Sequence, residues 1–140
     1  MKTPIFLILI GLVLIAAVTI PLHAQSSNVS GTLRFTVPVQ FTVGTETLPA
    51  GDYIVGSVFD SSIRLQNLNG GKAVVVLTAL AGGGNQVQGA KLVFHRYGDR
   101  YFLSEVWLNK SDTGRQLFAS SQEIELARTQ SQQRLIVAGH

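Results

Sequence analysis

Apolar positions along this chain follow two regimes. Ile5 to Ile20 is an uncharged, mostly apolar run of 16 residues, preceded by Lys2 and closed by Pro21 and the small residue Ala24. That order of a positive start, an apolar stretch and a small-residue cleavage site predicts an export signal over residues 1–24, with Gln25 as the mature N-terminus. The run is shorter than the roughly 20 residues of a comfortable membrane-spanning helix. If it is not cleaved, the same segment would serve as an anchor holding the domain at the membrane. Residues 25–30 are polar and read as a flexible lead-in.

From Gly31 onward the pattern becomes short apolar, β-branched and aromatic runs separated by Gly, Pro and Asn. Leu33, Phe35 and Val37 alternate with polar residues, the mark of a strand with one buried face. Val39, Phe41 and Val43 repeat the alternation after Pro38. Residues 44–47 and 48–51 read as turns, with Pro49 presetting one of them. Residues 52–59 form the next strand, where Gly56 suggests a bulge or a close backbone approach. Segments 62–68 and 72–79 flank Asn69-Gly70-Gly71, a hairpin signal. The continuous run Val74 to Leu77 predicts a strand covered on both faces. Residues 81–89 are Gly-rich and read as a loop, and 109–114 as a polar turn.

The clearest hairpin spans Lys91 to Leu108 around Gly98-Asp99, whose glycine suits the first central position of a type II′ turn. A two-residue loop pairs Tyr97 with Arg100, His95 with Phe102, Phe94 with Leu103 and Leu92 with Glu105. One face then holds Leu92, Phe94, Arg96, Tyr101, Leu103, Glu105 and Trp107. The other holds Val93, His95, Tyr97, Arg100, Phe102, Ser104 and Val106. Both faces carry large apolar groups, which places the hairpin centrally.

Ser120 and Glu123 have the spacing of a capping box, predicting one short helix over about 121–129. Leu135 to Ala138 is a last strand or a loose tail. About seven strands with one C-terminal helix predict an all-β fold, an antiparallel sandwich or a small partly open barrel, in a single domain over 31–140.

Composition narrows the chemistry. The chain has 140 residues and no cysteine, so thiol catalysis, thiolate metal sites and a lipid-carrying Cys are excluded. Removing 24 of the 140 residues leaves 116, enough for a hydrophobic core of its own. Losing Lys2 from the 11 cations leaves 10 against 8 carboxylates, and those cations are dispersed. Nucleic-acid binding, which needs clustered positive charge, is not expected.

Three segments together resemble a known group. VPVQFTVGTETLPAGDYIV (37–55), LVFHRYGDRYFLSEVW (92–107) and GRQLFASSQEIELAR (114–128) resemble, in the same order, segments of an uncharacterised family of small exported β-domain proteins of soil bacteria. The resemblance covers most of the mature chain. It implies an export signal followed by one β-domain, periplasmic or secreted, and carries no activity with it.

Among candidate reactive groups, His95 stands alone between His23 in the signal and His140 at the C-terminus. Ser104 lies diagonal to it across the hairpin, so a Ser–His contact is geometrically open. Nucleophilic catalysis also needs a group that orients the imidazole. Glu105, the carboxylate of this strand pair, is expected on the opposite face. His95 is therefore read as a structural residue packed on Phe102. Arg96, Tyr97, Arg100 and Tyr101 around the turn form the candidate binding patch. Cross-strand cation–π pairs, Arg96 over Tyr101 and Arg100 against Tyr97, explain the same residues as hairpin structure. No metal or cofactor is expected. The resulting expectation is an exported, non-enzymatic binding or envelope-associated module. Its alternatives are a small barrel carrying an apolar molecule and a hydrolase using His95.

Overall fold

The computed structural model describes residues 32–82, 89–108 and 113–140, so the signal and lead-in lie outside the described residues. In chain order these form β1 (Leu33–Val37), β2 (Phe41–Val43), β3 (Glu46–Leu48), β4 (Gly51–Phe59), β5 (Ser62–Asn67) and β6 (Ala73–Gly82). There follow β7 (Lys91–Tyr97), β8 (Arg100–Trp107), β9 (Thr113–Leu117), α1 (Ser121–Thr129) and β10 (Gln133–Ala138). The fold is all-β with one short C-terminal helix. Among the described residues no helix is long and apolar enough to cross a membrane.

The strands make one open sheet. Its main path runs β1-β4-β5-β6-β9-β8, and β7 and β10 continue from the other edge of β8. Two neighbours share the remaining edge of β8: β9 pairs at Glu105 and Val106, and β2 meets it in parallel at Phe102. The two ends of the path touch without forming a ladder. Phe35 and Gly139 make an isolated bridge, and His140 N donates to Arg34 O at 3.0 Å. This curl encloses Phe35, Phe41, Tyr53, Val55, Leu65 and Phe94, each no more than 1% exposed. Phe41 sits edge-on to both Tyr53 and Phe94 with ring centroids 5.2 Å apart, a favourable aromatic geometry.

The LPAGxY segment is fastened by its tyrosine. The Tyr53 hydroxyl donates to the Pro49 carbonyl and accepts from Asn67 Nδ2. The Asn67 side chain then accepts from the backbone N–H groups of Asn69 and Gly70, ordering the β5–β6 turn. One buried polar pair thus ties two turns together.

Several expectations need correction. Residues Glu46–Leu48 form β3 rather than a turn; a three-residue strand with one buried side chain leaves no alternation to read. Thr113–Leu117 also forms a strand, because β6 and the C-terminal half of β8 both offer open edges that it pairs. Ala81 and Gly82 extend β6, while the rest of the expected 81–89 loop and 109–114 turn lies largely outside the described residues. In β4 the bulge falls at Val58 and not at Gly56, which pairs in register with Arg64. Strand β6 is covered on one face only: Val75 and Leu77 are 58% and 67% exposed.

The β7–β8 register matters most for function. Gly98 takes φ +63°, as the turn requires, and the expected pairs hold from Tyr97↔Arg100 to Phe94↔Leu103. Ser104 is then an extra residue, since Val93 pairs with Glu105 and Leu92 with Val106. Such a bulge reverses which face the following side chains occupy. Val106 therefore joins the core. Glu105 and Trp107 turn to the outer face, where the Trp107 indole donates to the Glu105 carboxylate at 2.8 Å.

Candidate functional site

Helix α1 starts where its sequence dictates. Ser120 is extended, with φ −71° and ψ 161°, and its hydroxyl accepts from Glu123 N at 3.2 Å. In a reciprocal capping box the glutamate would reach back to the Ser120 backbone. Here the Glu123 side chain turns down onto the outer face of β7. Its Oε1 lies 2.8 Å from His95 Nδ1 and accepts from the Tyr97 hydroxyl at 3.3 Å. Glu123 is the one buried residue of α1, so the helix is seated on the sheet through a carboxylate.

A carboxylate oxygen is an acceptor, so the contact assigns the donor role to His95 Nδ1 and leaves Nε2 without the proton in the neutral ring. The Tyr97 hydroxyl lies within reach of a second oxygen, Gln132 Oε1, at 3.1 Å. One phenolic proton cannot serve both acceptors. Turning the Gln132 amide so that its nitrogen donates to the phenol satisfies all three groups. Burial, reinforced by the charge and hydrogen bond of Glu123, holds the Tyr97 phenol above its ordinary pKa.

Beside this network is a cleft of about 260 Å³ between α1 and the strands β7 to β9. His95, Ser104, Glu123 and Gln116 supply polar lining, and Leu117 and Ala127 are among its apolar walls. The Ser104 bulge and the helix cap thus bring a serine, a histidine and a carboxylate to one place. Among the described residues no hydrogen bond joins Ser104 to His95. Glu105, expected across the sheet from His95, shares its face, but its carboxylate is held by Trp107 and, at 3.8 Å, by Arg134. The orienting carboxylate is Glu123, 28 positions along the chain. Its sequence signal was the capping box, which marks a helix start and says nothing about the side chain's direction.

Comparison with protein-family models, curated proteins and solved structures gave no match to this chain.

The four residues around the Gly98-Asp99 turn do not form one patch. Tyr97 is 3% exposed and belongs to the helix network. Arg96 is exposed; it donates to Gly98 O at 2.6 Å and lies 5.5 Å from the Tyr101 ring. Arg100 remains the register partner of Tyr97, but its guanidinium lies over the Phe102 ring, at 5.6 Å. Arg100 and Tyr101 open onto a polar groove of about 340 Å³ with Gln40, Thr42 and Thr47. Arg96 borders a different groove, with Gln130 and Gln133 at the C-terminal end of α1. Opposite faces of the hairpin separate Tyr97 from Arg96 and Tyr101, as strand alternation requires.

Proposed function

We propose that this chain is an exported, non-enzymatic β-domain that binds a small molecule in the cleft beneath α1. The observation that carries this reading is a helix seated by a buried carboxylate next to an open cleft. The cleft combines a few convergent polar groups with apolar walls, the general composition of small-molecule sites. Its volume lies below the about 300–1,000 Å³ of sites for drug-sized compounds, so the ligand is small. An apolar molecule carried inside the sheet has less support, because Phe41, Tyr53 and Phe94 occupy the interior edge-to-face.

Export rests on the Lys2 to Ala24 pattern and on the resemblance to small exported β-proteins. Intact mass of protein recovered outside the cytoplasm checks it. A chain beginning at Gln25 supports cleavage, and one beginning at Met1 supports an anchor. For binding, a fragment screen by ligand-observed NMR should find compounds that compete for a single site. Ala127→Leu, which fills the cleft from the helix side, should abolish them. Fragments that bind the variant equally well would place the site elsewhere.

A second reading, a hydrolase, is favoured by one distance: Glu123 sits 2.8 Å from His95 Nδ1, in the orienting position of a catalytic histidine. Labelling of Ser104 by a fluorophosphonate probe, lost in His95→Ala, would replace the non-enzymatic reading with this one.

A further inference from the structure

Both protein donors to Glu123 converge on the same oxygen. His95 Nδ1 and the Tyr97 hydroxyl meet at Oε1, and among the described residues no donor reaches Oε2. Among the described residues the buried side-chain polar atoms left without a partner are Ser62 Oγ and Thr78 Oγ1, so Oε2, which has no partner there either, is not sealed away. Glu123 as a whole is 6% exposed and lines the cleft, which is therefore where Oε2 opens. His95 Nε2 likewise has no hydrogen-bond partner among the described residues and is not sealed away. With its proton on Nδ1, a neutral imidazole presents Nε2 as an acceptor. The Ser104 hydroxyl, which can accept as well as donate, lines the same wall.

Three acceptors, one of them a nine-tenths buried carboxylate, face one small volume. The nearest cation by register is Arg134, opposite His95 on β10, and its guanidinium is directed to Glu105. Among the described residues the cleft thus holds a carboxylate, further acceptors and no Lys or Arg committed to it. An anionic ligand would meet repulsion there, and a neutral alcohol could satisfy one acceptor. A primary ammonium carries three N–H donors and the opposite charge. We infer that the ligand is a small primary amine with a short apolar tail, its ammonium on Glu123 Oε2 and its tail against Leu117, Ile124 and Ala127. This deepens the binding reading above and rests on it.

The test is titration of the full chain with n-butylammonium chloride, n-butanol and sodium butyrate, followed by two-dimensional NMR. Butylammonium should shift the His95 ring signals and the Ala127 methyl saturably. Butanol should bind at least about tenfold more weakly, the scale of one charge-assisted hydrogen bond, and butyrate should leave these signals in place. Glu123→Gln keeps an acceptor for His95 and Tyr97 while removing the charge, and should cut butylammonium affinity about tenfold or more. If that variant loses its folded spectrum, Ala127→Leu supplies the check by blocking the tail alone. Butanol or butyrate matching butylammonium overturns the amine assignment and leaves the cleft a binding site. Failure of all three probes to shift these signals overturns both.

Discussion

Glu123 and His95 join the helix to the sheet through a 2.8 Å contact between Oε1 and Nδ1. The helix places few apolar side chains against the sheet: Ile124 remains 47% exposed, and Glu123 is its buried residue. A nine-residue helix is marginal in isolation, so its persistence depends on this docking. Glu123→Ala should destabilise the protein by about 1–3 kcal/mol, because His95 and Tyr97 lose a buried acceptor. Amide exchange should quicken across residues 121–129 before it does in β4 or β5. Combined with His95→Ala in a double-mutant cycle, the losses should be non-additive by at least about 0.5 kcal/mol. Strict additivity in urea unfolding would mean that the contact contributes nothing as a pair.

Alkaline pH provides a second handle on the same network. Burial and the Glu123 charge raise the pKa of Tyr97, and burial likewise raises that of Tyr53. The folded state therefore keeps these protons when the unfolded chain has released them. Their contribution is fully present below the ordinary tyrosine value near 10 and is lost as pH rises toward the folded values. Tyrosinate absorbance of the native protein should show ionisation above the ordinary range, and stability should decline over that interval. Tyr97→Phe should make the alkaline decline shallower. An unchanged decline would show that the Tyr97 proton is not coupled to folding.

Much of this fold is legible in the residues, and the failures have local causes. Ser120 and Glu123 mark the start of α1 because a cap is a chemical requirement of four unpaired N–H groups. Gly98-Asp99 likewise sets the hairpin register as far as Phe94↔Leu103. The register was lost at Ser104, since alternation carries no sign of an inserted residue until the partner strand is known. That single residue misplaces Glu105, Val106 and Trp107. Strand β9 was illegible for a related reason: Thr113–Leu117 contributes Leu117 to the core and otherwise exists to pair two open edges. The candidate site was half visible. His95 and Ser104 were correctly placed on one face, but Glu123 comes from an element whose docking no periodicity specifies.

Two hydroxyls are buried at a cost. Ser62 Oγ and Thr78 Oγ1 have no hydrogen-bond partner among the described residues. Ser62 lies in register between Phe59 and Leu77, both largely exposed. Thr78 pairs with Leu117 of the core. Replacing an unpaired buried hydroxyl by an apolar group of similar shape removes a desolvation penalty. Thr78→Val should raise stability by about 1 kcal/mol, and Ser62→Ala should be neutral or stabilising. A loss of more than about 1 kcal/mol in either variant, measured by urea unfolding, would reveal a partner for that hydroxyl.

Gly114 is the position at which a single methyl group should matter most. On the outer face the Trp107 ring is covered by Lys91, whose ammonium lies 5.5 Å from its centroid, and by the bare backbone of Gly114 on β9. A Cβ built on Gly114 would fall 2.5 Å from the indole, far inside van der Waals contact, and rigid ring atoms cannot yield as a flexible chain end can. The ring could escape only by giving up its hydrogen bond to Glu105 or by pushing β9 away from β8. Since among the described residues β8 and β9 pair at Glu105 and Val106 alone, the strand is the weaker restraint. Gly114→Ala should therefore cost about 1–3 kcal/mol, the range for overpacking a tight contact. Trp107 is the chain's one tryptophan, so its fluorescence reports the site directly. The emission should shift to longer wavelength as water reaches the indole. Trp107→Leu should relieve the clash, so that adding Gly114→Ala to it costs little. A full penalty in that background would assign the glycine's importance to its backbone and not to the ring.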